Sequence, residues 1–342
     1  MGGRLFANDG AERLPRYALY ELIKIVKEEM SKKGLSVYHS RFLLDKNDFG
    51  DLDFILPLED RKIEDVKSLI DSLHPAKKVL HNGMVSSVLW ESGGDVLTQI
   101  DFILSEPQNL DATVVYYSFN DLNGLIGKIF YSHGLKFGHK GLLFNIETKR
   151  TKKEIVLMTD PKKIYELIGL DFNRWLEGFY TVDEIIEFVK TSPFAKKEVF
   201  EINSLTHRQR TRDQERSTFQ ALYGEFDITL TDERVPKKTN RERLELCKII
   251  IKDENIINHI ESDLKWIEAY EERIDFYKEV FPVSLIMSIF PELKGRSLGD
   301  MYQKLKRDAY INFTIYSDKI ALEKKQELIK EHIQKTYGKA TQ

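Results

Sequence analysis

Asp51 and Asp53 stand two residues apart in the run Gly50-Asp51-Leu52-Asp53-Phe54-Ile55-Leu56. In an extended strand that spacing puts both carboxylates on one face and Leu52, Phe54 and Leu56 on the other. Two anions held so close repel unless a cation sits between them, and hard carboxylate oxygens suit Mg2+. Asp101 stands among apolar neighbours in Thr98-Gln99-Ile100-Asp101-Phe102-Ile103-Leu104. A carboxylate at the centre of a sheet is costly unless it meets a metal or a hydrogen-bonding partner. Three such carboxylates are what phosphoryl transfer by two metals roughly 3.5–4 Å apart requires. One ion, Mg2+ or Mn2+, lowers the pKa of the attacking hydroxyl; the other holds a nucleoside triphosphate and stabilises pyrophosphate as it leaves. Asp51 and Asp53 are expected to touch both ions, and Asp101 the one nearer the nucleophile. The plainer alternative is three solvated aspartates at strand edges or turns.

The elements that must position these groups are legible from periodicity. Leu14, Tyr17, Ala18, Leu22, Ile25, Val26 and Met30 recur at helical spacing over Arg13 to Lys33, ahead of Gly34. Val37 to Phe42 and Asp51 to Leu56 predict strands around the polar turn Asp45 to Gly50. Ile63 to Leu73 is helical in spacing; Lys78 to Leu80 and Met84 to Trp90 flank Asn82-Gly83, a hairpin signal. Val96 to Leu104 follows as a strand. Helix, strand, strand, helix and three strands predict an α+β fold: a mixed sheet with packed helices, followed by a mostly helical C-terminal region. Phe119 to His133 reads as a helix, Gly134 to Gly141 as a loop, and Thr206 to Tyr223, Arg241 to Lys252, Asn255 to Val280 and Leu298 to Tyr337 as helices. The divisions drawn are 1–150 for a catalytic domain, 151–235 for a helical middle region and 236–342 for a helical C-terminal region.

Residues 35–145 resemble the nucleotidyltransferases of the DNA polymerase β superfamily, among them poly(A) polymerases and CCA-adding enzymes. The likeness rests on His39-Ser40-Arg41 at the position of the family's Gly-Ser turn, then Asp51-Leu52-Asp53, then Ile100-Asp101-Phe102 from a later strand. His39 stands where the family commonly has Gly. The resemblance implies transfer of a nucleoside monophosphate from an NTP, ATP among them, to a hydroxyl, with release of pyrophosphate. It implies that Ser40, with Arg41 beside it, meets the triphosphate, and that the acceptor is an RNA 3′ end, a small nucleotide or a protein side chain. A reading of another class is a non-catalytic nucleotide sensor or scaffold that keeps the fold.

Two further sets of residues are candidates for anion contact. A helix beginning near Phe119 would turn its N-terminus, which attracts phosphate, toward the cleft, with Asn123 and Lys128 as contacts. The alternative is an ordinary helix capped by Asn120 or Asp121, in which Gly124 and Gly127 permit close packing. Arg208, Arg212 and Arg216 recur every four residues and would form a helical arginine stripe able to follow an RNA backbone, although Asp213 and Glu215 interleave and a solvated, salt-bridged face explains them equally.

Bulk composition narrows the class. With 52 Lys and Arg against 55 Asp and Glu, the net charge of -3 makes any nucleic-acid surface a local patch. The single cysteine, Cys247, excludes an internal disulfide framework and a cysteine zinc cluster, as in a cytoplasmic protein. No apolar run approaches the roughly 20 residues that span a bilayer.

Overall fold

In the computed structural model the stretch around Asp51 becomes a central strand of a mixed five-strand sheet. The structure describes residues 5–92, 96–119, 121–201, 211, 213–228, 236–280, 282–308, 310–316 and 321–338. In chain order the sheet strands are β1 (Tyr38–His39), β2 (Asp51–Pro57), β3 (Ala76–Asn82), β4 (Val85–Glu91) and β5 (Leu97–Ser105), arranged β1-β2-β5-β4-β3. β2 and β5 run parallel; every other pair is antiparallel. The β3–β4 hairpin closes over Gly83 and Met84, with Asn82 already paired to Val85 and Gly83 at φ 59°. Glycine takes that left-handed conformation without steric cost.

One face of the sheet buries the apolar residues whose alternation the sequence displays. Leu52, Phe54 and Leu56 of β2 and Ile100, Phe102 and Leu104 of β5 join Val88 and Trp90 in a single core. Helix α1 (Arg16–Lys32) covers it with Leu19, Leu22, Ile23, Val26 and Met30, and α2 (Ile63–Asp71) with Val66 and Ile70. Each helix presents an apolar stripe to the sheet and charges to solvent, which is why the 3.6-residue period was legible.

The opposite face is met by a helix that periodicity missed. α3 (Leu110–Tyr117) packs on β2, and α4 (Leu122–Ser132) follows it, beginning three residues later than the expected helix from Phe119. α3 is a β-branched and aromatic run, Ala112-Thr113-Val114-Val115-Tyr116-Tyr117, with low intrinsic helix propensity; burial of Ala112, Thr113 and Val115 overrides that preference. Gly134 to Gly141, expected as a loop, contains β6 (Lys136–Gly138), which pairs with β7 (Gly141–Glu147) and through it with β8 (Lys152–Met158).

Compact units divide as 1–148 with 152–260, and 261–342 with 149–151. The expected boundaries at 150 and 235 therefore do not separate units, because the ladder from β7 to β8 carries the first unit across the former. Within the first unit follow α5 (Pro161–Leu167), α6 (Phe172–Glu177), α7 (Val182–Lys190), α8 (Lys197–Phe200), α9 (Ser217–Glu225) and α10 (Asn240–Ile250). The second unit has its own core, with Tyr277, Ile286, Phe290, Leu305, Ile329 and Ile333 buried together. The helix expected from Leu298 to Tyr337 is interrupted there. Helices Gly295–Lys306 and Leu322–Tyr337 flank a widened turn at Tyr310–Ile315, and Asp308 accepts hydrogen bonds from the Ile311 N–H at 3.1 Å and the Tyr337 hydroxyl at 2.6 Å. Among the described residues no helix is long and apolar enough to cross a membrane.

Phe102 is fully buried, with ring centroids 6.0 Å from Phe54 and 6.5 Å from Trp90. Phe102→Ala is expected to destabilise the sheet-containing unit by about 3–5 kcal/mol through lost transfer energy and the residual cavity, read from urea unfolding. A loss below about 1 kcal/mol would mean that the core is not assembled in this way.

Candidate active site

The register of the central parallel pair decides the site. Asp53 on β2 lies opposite Asp101 on β5, and Asp51 lies opposite Gln99. In parallel strands aligned residues share a face, so the three carboxylates gather on the side away from the α1–α2 core. The sequence spacing thus becomes a real juxtaposition. Burial pushes the Asp53 carboxyl well above its ordinary range, and repulsion from Asp51 and Asp101 pushes it further. Asp101 is raised by burial too, but a hydrogen bond from the Ser87 hydroxyl opposes the shift, as does Gln99, whose Nε2 lies 3.2 Å from each carboxylate oxygen. Ser87 is the β4 residue directly across from Asp101, so the partner that such a buried carboxylate needs comes from the next strand of the sheet.

Asp51 and Asp53 line a cleft of about 720 Å³; Asp101 is beside Asp53 without lining it. Ser40 and Arg41, just after β1, form one rim, with the Ser40 N–H donating to the Asp53 carbonyl at 3.1 Å. Facing them are Tyr116 and Tyr117 from the end of α3 and Asp121 and Gly124 from the start of α4. Ser40 and the α4 N-terminus thus border the same cleft. Burial and the field of Asp53 and Asp101 raise the Tyr117 phenol, which keeps it protonated.

Arg41 does a different job from the one expected of it. Its guanidinium lies 5.1 Å from the ring centroids of both Phe119 and Trp175 and donates to the Trp175 carbonyl at 3.0 Å. Its backbone N–H donates to Ser118 Oγ at 3.0 Å and its carbonyl accepts from the Phe119 N–H at 2.6 Å. Phe119 is buried at φ 55°, a left-handed backbone that a bulky residue adopts only when its surroundings hold it there. Gly178, at φ 93°, leaves the space: a Cβ there would stand 3.0 Å from the guanidinium. Arg41 is a clamp that fixes the Ser40 rim to α3 and α6.

Asn123 and Lys128 do not reach the cleft. Asn123 is buried, its amide donating to the carbonyls of Val115 at 2.6 Å and Ser118 at 3.3 Å while its oxygen accepts from the Tyr165 hydroxyl at 2.7 Å. The first turn of α4 faces α3 and α5, so Asn123 joins helices. The Lys128 ammonium pairs with Asp213 at 2.9 Å and lies over the Phe219 ring. Arg208 and Arg212 lie outside the described residues. Arg216 lines the cleft, yet its backbone is extended at the N-cap of α9, so the expected helix from Thr206 to Tyr223 does not run through it. Its guanidinium is paired with Asp121.

The loop before β2 supplies what sequence reading passed over. Arg13 pairs with Asp48 at 2.6 Å, and the Arg16 guanidinium donates to the carbonyl of Lys46 at 3.2 Å. Leu44 and Asp45 donate backbone hydrogen bonds to Phe179 and Tyr180 at 3.2 and 3.0 Å. Lys46 is thereby held at the cleft, its ammonium 4.7 Å from the Phe49 ring centroid and within the field of Asp51 and Asp53. A polar turn in a sequence carries no sign of which of its residues will be turned inward.

Hard carboxylate oxygens from two adjacent strands, desolvated and mutually repelling, are donors suited to Mg2+ or Mn2+. Among the described residues no three His, Cys, Asp or Glu side chains close on a single point as a ready-made cage. No protein-family model matches the chain, and no curated protein matches it in sequence.

A carboxyl whose folded pKa lies above its unfolded value destabilises the fold as pH rises from the unfolded value, here near 3.8, through the folded one. Asp53→Asn is therefore expected to raise the melting temperature in chelator at pH 7, by about 2–4 °C per kcal/mol of relieved strain, with the gain shrinking toward pH 4. A lowered Tm at pH 7 would refute this account. Asn123→Ala, by contrast, should cost about 1–3 kcal/mol by leaving buried partners unpaired while nucleotide affinity stays unchanged; a selective loss of nucleotide binding would return Asn123 to the site.

Proposed function

We propose that this chain is a metal-dependent nucleotidyltransferase of the DNA polymerase β type, which transfers a nucleoside monophosphate from an NTP to a hydroxyl and releases pyrophosphate. The observation that carries this reading is the alignment of Asp53 with Asp101 on adjacent parallel strands, with Asp51 on the same face at a cleft that also holds Arg13, Lys46 and Arg216. Asp51, Asp53 and Asp101 would hold the divalent ions. Bound there, the ions supply charge neutralisation and a more acidic acceptor hydroxyl.

The chain's own residues account for the remaining demands of the reaction. Lining cations offset a polyphosphate whose charge would otherwise be repelled by the carboxylates. Ser40 can donate its hydroxyl to a phosphate oxygen from the rim that Arg41 immobilises. Ser87 and Gln99 orient Asp101, leaving its carboxylate able to accept the acceptor's proton. For the acceptor we propose a hydroxyl of RNA, a small nucleotide or a protein side chain; Arg216, at the cleft and paired with Asp121, is the one described arginine of the expected stripe available to it.

The test is incubation of the protein with each α-labelled NTP, Mg2+ or Mn2+, and a panel of RNA, DNA, nucleotide and protein acceptors. Labelled acceptor with pyrophosphate release is the expected result, and Asp51→Asn, Asp53→Asn and Asp101→Asn should each lower kcat by about 100-fold or more without unfolding the protein. Nucleotide binding with no transfer to any acceptor would point instead to a nucleotide sensor.

A further inference from the structure

The cleft's cations are not equivalent, and the difference assigns one of them a role in the transfer step. This inference rests on the nucleotidyltransferase reading and adds a residue to it. Arg13 is held by Asp48, Arg216 by Asp121, and Arg41 between two aromatic rings with its N–H on the Trp175 carbonyl. Lys46 is turned toward the carboxylates that define the site, and the loop that carries it is anchored from three sides, by Arg16, Phe179 and Tyr180. We propose that Lys46 contacts the phosphates of the bound nucleoside triphosphate and neutralises the charge that develops on the departing pyrophosphate.

The geometry fits that task. The ammonium is a compact point charge with three donors, packed at 4.7 Å over the Phe49 ring on a loop two to seven residues before the two lining aspartates, so it faces the same small volume as they do. Burial and Arg13 pull its pKa down while Asp51, Asp53 and Asp48 pull it up, which leaves a cation whose partial desolvation strengthens any contact with phosphate. In the transfer, the acceptor oxygen forms a bond to the α-phosphorus and the bond from that phosphorus to the oxygen bridging to the β-phosphorus breaks. The electron pair leaves on pyrophosphate, and the acceptor's proton goes to a carboxylate or to water. Lys46 remains protonated throughout. Its attraction grows as the leaving oxygens gain charge, which is the condition for lowering a barrier rather than merely binding substrate.

The experiment measures binding of an α,β-methylene nucleoside triphosphate, which cannot transfer, by calorimetry in Mg2+ and again in EDTA, alongside steady-state turnover of the matching NTP. For Lys46→Gln we expect binding weakened about 10–100-fold in both media, since one charged contact is lost, and kcat lowered further. Lys46→Arg, which keeps the charge, should restore binding to within about tenfold of the wild type while recovering kcat less completely. Thermal melts check that both variants are folded, and if Lys46→Gln is not, Lys46→Arg and Lys46→Met are compared in its place. A Lys46→Gln protein that binds and turns over within about twofold of a functional wild type overturns this role alone. A wild type that neither binds nor uses any NTP overturns the nucleotidyltransferase reading and this role with it.

Discussion

Repulsion between carboxylates set side by side on neighbouring strands is the constraint around which the first unit is arranged. Asp53 and Asp101 face each other in register, Asp51 is two residues away, and all three are drawn toward a desolvated surface. Such an arrangement is unstable by itself. It persists because the other face of the same strands buries Leu52, Phe54, Leu56, Ile100, Phe102 and Leu104, whose contribution of roughly 1.5–3 kcal/mol for each large side chain outweighs the electrostatic cost. The strands cannot slip to separate the aspartates without turning that apolar set into solvent.

Everything bordering the cleft is positioned by contacts distant in sequence. Arg41 ties the rim after β1 to Phe119 and to Trp175, and Arg16 at the head of α1 holds the Lys46 loop. Asp121 and Arg216 meet across 95 residues. The hydrogen bonds and ring contacts of Arg41 are partly buried, where charge-assisted bonds are stronger than at the surface. A rim fixed in this way can present Ser40 to a ligand with little ordering left to do on binding.

The expectations that changed share one cause. Asn123 and Lys128 were placed at a phosphate site because a helix N-terminus attracts anions, but that rule says nothing of which way the helix faces. In the folded chain the first turn of α4 is turned to α3 and α5, and the buried amide of Asn123 is fully occupied there. The arginine stripe assumed an unbroken helix; the backbone of Arg216 is extended, and its side chain answers to Asp121. α3 went unseen because Val114, Val115, Tyr116 and Tyr117 read as strand formers until burial decides otherwise.

What the sequence by itself determined is the α+β class, the strands bearing the aspartates and the face each aspartate occupies, because alternation of period two and helical stripes are local properties of the chain. It also determined α1 and α2 nearly to their ends, since each has one apolar stripe and a solvated back. The tertiary structure alone decided that β2 and β5 are parallel neighbours with Asp53 opposite Asp101, that Ser87 and Gln99 support the latter, and that Lys46 turns inward while Lys128 turns to Asp213. Those outcomes depend on strand register and on pairs many tens of residues apart. Their energies are settled only when the whole sheet and its covering helices assemble, so no local pattern encodes them.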